Sequence, residues 1–236
     1  MLNQRLADGV LHLELNRPEV GNALGPALVE ALIQAVDGAN SDAGVHTVLL
    51  QGAGRHFCTG LDLSELASLS DGDLLLRLVR IETLLGMLWH SPLRTVALAR
   101  GRTWGAGADL LAVCEQRVAA PGSSFRFPGA RFGIVLGTRR LAERIGPDAA
   151  RRLVLEGAEL DAPQALAAGL VSQVADGVTL AELPVAAATA RAIRAATRAD
   201  LRDADLAALV RSAAEPGLQA RITAYRSRLL ATQPPG

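Results

Sequence analysis

Lysine is missing from this chain: its basic residues, 24 in all, are arginine, matched by 24 acidic residues for a formal net charge of zero. Aromatic residues amount to 3%, with a single tyrosine. A nucleic-acid surface needs a basic face and often stacking rings, so both shortages argue against one. The arginines are spread along the sequence and read as a solvated surface. Cysteine is scarce too. Cys58 and Cys114 lie in apolar stretches with no pattern of partners, and read as buried free thiols in a reducing cytoplasm. No apolar run reaches the roughly 18 residues that a membrane span requires. No basic stretch followed by an apolar one opens the chain, so a secretory leader is not expected, and the expected location is cytoplasmic. His12, His46, His56 and His90 show no metal-ligand spacing, and no metal is expected. Neither Gly52-Ala-Gly54 nor Gly105-Ala-Gly107 has the third glycine of a dinucleotide fingerprint. A nucleophile elbow and a P-loop are also absent.

What is present is apolar residue: 50% of 236, enough for a sizeable core. Period and alternation predict strands over Val10–Leu15, His46–Gln51, Arg94–Ala99 and Gln116–Ala120. Helices are predicted over Pro26–Ala39, Leu63–Leu69, Asp73–Trp89 and Ala106–Cys114. Short extended pieces follow around Phe125 and Arg131. Beyond Gly137 the pattern is mainly helical: Thr138–Ile145, Pro147–Glu156, Ala162–Ala168, Leu180–Ala196, Asp203–Ala213 and Pro216–Leu230, interrupted by a strand over Leu170–Val174. Alternating strand and helix implies an α/β fold with largely parallel pairing.

Two segments carry chemistry. Trp104–Cys114 (WGAGADLLAVC) follows a predicted strand with small residues and then turns helical. Gly52–Ser64 (GAGRHFCTGLDLS) does the same after another strand. Small residues at such junctions let backbone approach a ligand closely. The free N–H groups of a first helical turn, with the helix dipole, favour negative charge. Two junctions can supply two backbone donors to one oxygen, although sequence does not show that they converge. Asp109 falls in the first turn or so of its helix. It offers a carboxylate for proton transfer, or simply complements the dipole.

These two segments resemble the crotonase superfamily, the enoyl-CoA hydratases and isomerases, which carries G-R-x-F-C-A-G-x-D-L and later G-x-x-x-G-G-G-x-E/D-L. Leu15–Leu24 (LNRPEVGNAL) is similar to that family's L-N-R-P-x-x-x-N-A-L opening. Asp161–Val171 (DAPQALAAGLV) is similar to its D-A-x-E-A-x-x-x-G-L-V exit. The four motifs stand in order over residues 8 to 175. The resemblance implies a spiral of repeated strand–strand–helix units with a helical C-terminal region. It divides the chain into an acyl-CoA-binding core, 1–175, and a helical region, 176–236, that packs against other subunits of a trimer or hexamer.

The resemblance also assigns roles. The backbone N–H groups of Leu61 and Ala106 fall where the family holds a thioester oxyanion. Asp109 falls at one of the two glutamates of hydratases, shorter by one methylene. The other glutamate lies in F-x-x-P-E-x-x-x-G, and here Phe125–Gly133 (FRFPGARFG) puts Gly129 in its place. Gly137-Thr138-Arg139-Arg140-Leu141 then follows about three residues early. Arg126 or Arg131 could enter the vacated space, or lie on the surface or in an ion pair. Val20, Arg55, Gly60, Asp62, Leu63 and Gly105 fall at substrate- or CoA-contacting positions. Arg55 suits a phosphate, or is a plain turn arginine. Asp62 also suits a helix N-cap. No cofactor is expected beyond the CoA thioester itself, as substrate or ligand. With one carboxylate, the implied chemistry is that of an isomerase or lyase of fatty acid metabolism: a proton shift, hydrolysis or decarboxylation rather than hydration. The alternative is a non-catalytic acyl-CoA binding protein on the same scaffold.

Overall fold

The computed structural model describes residues 1–231, with side chains to residue 228. The chain begins as a hairpin. Asp8 and Gly9 both have positive φ, 50° and 71°, as a two-residue hairpin loop requires. They join β1 (Leu2–Ala7) to β2 (Val10–Leu15) in antiparallel register, Ala7 opposite Val10. Parallel pairing then extends the sheet through β3 (Thr47–Gly52), β4 (Arg94–Ala99), β6 (Gln116–Ala119) and β9 (Gln173–Val174). A second, three-stranded sheet holds β5 (Arg102–Trp104), β7 (Ser124–Arg126) and β8 (Glu159–Asp161). The chain passes from the first sheet to the second at β4–β5 and again at β6–β7 before turning helical. It is thus built of strand–strand–helix units.

Parallel neighbours need crossovers, which helices supply. α1 (Pro26–Ser41) starts on a proline, whose fixed φ suits a first helical position. It buries Leu28, Leu32 and Val36 along one stripe. α2 (Asp71–Trp89) starts from a capping box, with the Ser70 side chain accepting from the Asp73 N–H and Asp73 reaching back. α3 (Ala106–Ala112) is buried all round. These helices and the main sheet enclose the principal core. α4 (Thr138–Ile145), α5 (Pro147–Glu156), α6 (Ala162–Ala167), α7 (Ala187–Ala196), α8 (Arg202–Ala213) and α9 (Leu218–Ala231) follow. Among the described residues, no helix is long and apolar enough to cross a membrane.

α8 and α9 form a second core. Leu209, Leu218 and Ile222 pack against Leu66, Leu74, Leu78 and Ile134. The Asp71 carboxylate accepts the Gly217 and Gln219 N–H groups, both at 2.8 Å, and so pins the start of α9 to the start of α2.

The structure corrects four expected elements. Leu63–Leu69 is not a helix but a single 3₁₀ turn, Leu66–Ser68. α9 takes the carbonyls, with Arg226 bonding to Leu63 O and Gln219 to Leu66 O. Arg131 lies in a 3₁₀ turn, Pro128–Phe132, rather than an extended piece, because Pro128 starts the turn and Gly133 (φ 78°) ends it. The helix expected from Leu180 begins only at Ala187. Pro184 falls inside the expected span, and Val178 and Leu180 instead cover Val10, Leu49 and Val96 on the outer face of the sheet. Of Leu170–Val174, only Gln173–Val174 pairs as a strand, because Arg117 draws the Leu170 carbonyl aside. β1, β5 and β8 were not expected as strands.

Candidate active site

The two glycine-punctuated junctions meet. Parallel bridges join Cys58 to Thr103 and Leu24 to Leu61, and the Trp104 N–H donates to Cys58 O at 3.0 Å. Gly60 (φ 98°) lies against the other junction. A Cβ there would sit 2.9 Å from Trp104 O and 3.3 Å from the Ala106 nitrogen. Gly107 lets α3 come closer still, since a Cβ would meet Cys58 O at 2.2 Å. At both sites glycine is a requirement of close approach.

The Leu24 N–H donates to Gly60 O at 2.7 Å, and the Asp62 N–H to Leu24 O at 3.2 Å. The intervening Leu61 N–H is left out of this ladder. The Ala106 N–H opens α3, where first-turn donors have no intrahelical acceptor. Neither donates to an acceptor among the described residues. Leu61 and Ala106 line one cavity of about 170 Å³, together with Gly60, Leu63, Gly105, Asp109 and Gly129.

Among the described residues, Asp109 is the only carboxylate lining this cavity. It is 5% exposed, and its Oδ1 has no hydrogen-bond partner. It packs against Gly137 (φ 65°), where a Cβ would clash with that oxygen at 2.2 Å. Burial pushes its pKa well above the ordinary carboxylate value. The Glu82 charge adds to the rise and Arg140 opposes it. Glu82 and Arg140 belong to a buried ion cluster. The Arg140 guanidinium, 1% exposed, bonds Glu82 at 2.5 Å and Asp205 at 2.9 Å. At the other end of α3, Arg144 bonds Ala112 O and Cys114 O, both at 2.9 Å. Arg117 bonds Cys114 O, Glu115 O and Leu170 O. Cations there complement the dipole of the helix that carries Ala106 and Asp109.

Asp62 lies behind the cavity rather than in its lining. It forms an ion pair with Arg17 at 2.7 Å and accepts the Ser64 N–H at 3.0 Å. Burial alone would raise its pKa, but Ser64 and Arg17 outweigh burial and hold it below the usual value. No α-helix follows, so it is not a helix cap. Arg126 and Arg131 do not line the cavity either. Arg126 lies over Trp104 and near Glu159, and Arg131 bonds Glu156 O. Gly129 lines the cavity with room limited on one side, since a Cβ would lie 3.1 Å from Ile134 O.

A cleft of about 580 Å³ adjoins the cavity and shares Thr59 and Trp104 with it. Val20, Arg55, His56 and Arg102 line it, and Arg55 is exposed. Arg102 stacks on Trp104 at 4.7 Å. His56 accepts the Arg102 N–H. Burial, with Arg102 and Arg55, lowers its pKa, so its ring is neutral at pH 7. Cys58 and Cys114 are free and buried, with burial pushing both thiols up to about 12.

Sequence reasoning missed several residues of this neighbourhood: Glu82, Arg140 and Asp205 behind Asp109, Arg17 on Asp62, and Ile222 and Tyr225 of α9 in the cavity wall. Glu82 left a readable trace, as a charge on the apolar stripe of α2 beside Leu78 and Ile81. Tyr225 left none.

Residues 5–230 match the family model for enoyl-CoA hydratase/isomerase. A Mycobacterium leprae protein assigned as an enoyl-CoA hydratase is 34% identical over 181 residues, 74% of this chain and 71% of that one. The 2,3-dehydroadipyl-CoA hydratase of Escherichia coli is 35% identical, over 70% of this chain and 65% of its own. A crystal structure from Bordetella parapertussis, assigned as an enoyl-CoA hydratase/isomerase, superposes with a TM-score of 0.90 at 40% identity. That match covers 99% of each chain.

Proposed function

The chain belongs to the enoyl-CoA hydratase/isomerase family, with its crotonase-like fold, and on that premise we propose that it is an enzyme acting on acyl-CoA thioesters. The thioester oxygen is held between the Leu61 and Ala106 N–H groups, where a single donor contributes roughly 10²–10³ in rate. The ionised fraction of Asp109, a stronger base for its raised pKa, takes a proton from the α-carbon, leaving an enolate on that oxygen and Asp109 protonated. Returning the proton to the α-carbon gives exchange, and returning it further along an unsaturated chain gives isomerisation. One carboxylate suffices for either, whereas adding water calls for a second. A proton shift, hydrolysis or decarboxylation is therefore favoured over hydration. The nucleotide end of CoA lies in the adjoining cleft, with Arg55 and Arg102 available to its phosphates.

One observation carries this reading. Leu61 and Ala106, whose peptide N–H groups have no acceptor among the described residues, line the same cavity as the buried Asp109, whose Oδ1 has no partner. The test is calorimetric titration with saturated acyl-CoAs, followed by solvent deuterium exchange at the α-carbon. Saturable binding with exchange supports the enzyme. Binding without turnover on any thioester supports the second reading, a non-catalytic acyl-CoA binding protein, which the lack of a carboxylate at Gly129 favours. Absence of binding at every chain length refutes both.

We place the working unit as a trimer or a dimer of trimers. Leu183, Val185 and Ile193 are exposed around α7 and offer apolar area to another subunit. Light scattering that returned the monomer mass across a wide concentration range would refute this assembly.

A further inference from the structure

The single tyrosine of the chain stands in the cavity wall. Tyr225 comes from α9, which also contributes Ile222. Its ring packs on Phe132, centroids 5.2 Å apart and planes at 49°, a favoured aromatic arrangement that fixes its direction. Phe132 belongs to the same 3₁₀ turn as Gly129. The aromatic contact therefore brings α9 onto the segment where the family has its second carboxylate.

The other polar groups of the lining are occupied. The Thr59 hydroxyl donates to Gly21 O at 3.2 Å, and the Trp104 indole to the Ser124 hydroxyl at 3.1 Å. The Thr138 hydroxyl points to Leu136 O at 3.4 Å. Asp109 is committed to the proton. The Tyr225 hydroxyl has no hydrogen bond to the described residues, and Leu63, Leu78, Phe127, Ile134, Leu136 and Ile222 make the rest of the lining largely apolar. Tyr225 is half-buried, so its hydroxyl keeps access to solvent and is free to donate to a bound acyl group. Burial raises its pKa, against the pull of Arg126 and Arg131, so it is a neutral donor at pH 7. Among the described residues no arginine or histidine lines the cavity itself, so an acyl carboxylate would meet no ion partner in its wall.

We propose that Tyr225 sets substrate specificity: its hydroxyl pairs with an oxygen carried by the acyl chain, so that the cavity selects uncharged acyl groups bearing a hydroxyl or keto oxygen. This rests on the acyl-CoA reading of the same cavity. It assigns Tyr225 to recognition and leaves the proton step with Asp109.

The experiment uses matched thioesters: butyryl-CoA with 3-hydroxybutyryl-CoA, and hexanoyl-CoA with 5-hydroxyhexanoyl-CoA. Affinities are measured by calorimetry for the full chain and for Tyr225→Phe, which keeps the ring on Phe132. The full chain is expected to prefer the hydroxylated member of at least one pair. Tyr225→Phe is expected to lose about 3- to 10-fold for that member, the worth of one neutral hydrogen bond. Its affinity for the plain thioester should fall less than that for the hydroxylated partner. Equal affinities within both pairs, or an equal loss for both members of a pair, would overturn the role of Tyr225 while leaving acyl-CoA binding intact. If the full chain bound none of the four, the acyl-CoA reading itself would fall.

Discussion

Two aspartates, each at one of the glycine-punctuated junctions, expose nearly the same small fraction of their surface and titrate in opposite directions. Asp62 is 6% exposed and Asp109 is 5% exposed. Asp62 has Arg17 and the Ser64 N–H to hold its charge, and its pKa falls although burial alone would raise it. Asp109 lies deeper, and burial first, then the Glu82 charge, raise its pKa, while its Oδ1 stays bare. Depth of burial and partners together therefore decide what a carboxylate is for. A carboxylate with satisfied charge braces a loop. One without partners in a cavity is poised to exchange a proton.

The largest expected effect breaks the comparison at Asp109. Asp109→Asn keeps the shape and removes the titrating group. It should lower turnover, or α-proton exchange in deuterated solvent, by about 10²–10⁴ and leave acyl-CoA affinity nearly unchanged. A variant that exchanged as fast as the unmodified protein would sink the single-carboxylate mechanism.

The next effect asks what a second carboxylate would do. Hydration of crotonyl-CoA by the unmodified protein should be slow or absent, far below the roughly 10 s⁻¹ of an ordinary enzyme. Gly129 does not have positive φ, so a side chain is allowed there if the Ile134 carbonyl, 3.1 Å from a Cβ, gives slightly. Gly129→Glu should raise hydration by about 10²-fold, the lower range for one acid–base group. Brisk hydration without that change would mean that another group already handles the water.

Asp62→Asn should act on stability rather than on the proton step. It leaves Arg17 with the Ala23 carbonyl, at 2.8 Å, but with no charge partner. Breaking a fully buried pair costs about 3–5 kcal/mol. Arg17 is 22% exposed, so a smaller loss is expected. About 2 kcal/mol would lower Tm by about 4–8 °C in a chain of this size. Because the folded pKa is depressed, the stabilisation is present above the unfolded value near 4 and is lost as pH falls through the folded value. The gap in Tm between the two proteins should therefore close in acid. A gap that did not narrow at all as the pH fell below the unfolded value would point to lost packing instead.

The contrast between the two aspartates was only half legible in the sequence. Both junctions were readable because their signal is local: a strand, glycines, then an apolar helix. α1 and α2 were readable for the same reason, from Pro26 at the start of one and Pro92 past the end of the other. The partners were not readable. Glu82, Arg140 and Asp205 come together from α2, α4 and α8, and no local pattern announces a contact between residues 58 positions apart. Tyr225 reaches the cavity only because Asp71 pins the start of α9. The helix expected over Leu63–Leu69 is a 3₁₀ turn whose Leu63 and Leu66 carbonyls also accept side chains of α9, contacts that no local pattern announces. β1 was overlooked because its exposed residues show no apolar alternation, although Asp8-Gly9 is a hairpin signal in its own right.

The smallest effect is the mirror image of the one at Asp62. A carboxyl whose folded pKa is raised binds its proton more tightly in the folded chain than in the unfolded one. Between the unfolded value near 4 and the raised folded value, the folded state holds more protons, so stability falls as pH rises. Asp109 should therefore contribute a decline in Tm from about pH 4 upward, opposite in sign to the contribution of Asp62. Asp109→Asn cannot ionise and should flatten that decline. The useful quantity is the difference in Tm between pH 5 and pH 8, compared for the two proteins, because every other titrating group then cancels. The variant should lose less over that interval than the unmodified chain. Identical losses would mean that Asp109 is not held protonated by its surroundings, and that a buried water or a shift of Arg140 satisfies its charge in the free protein.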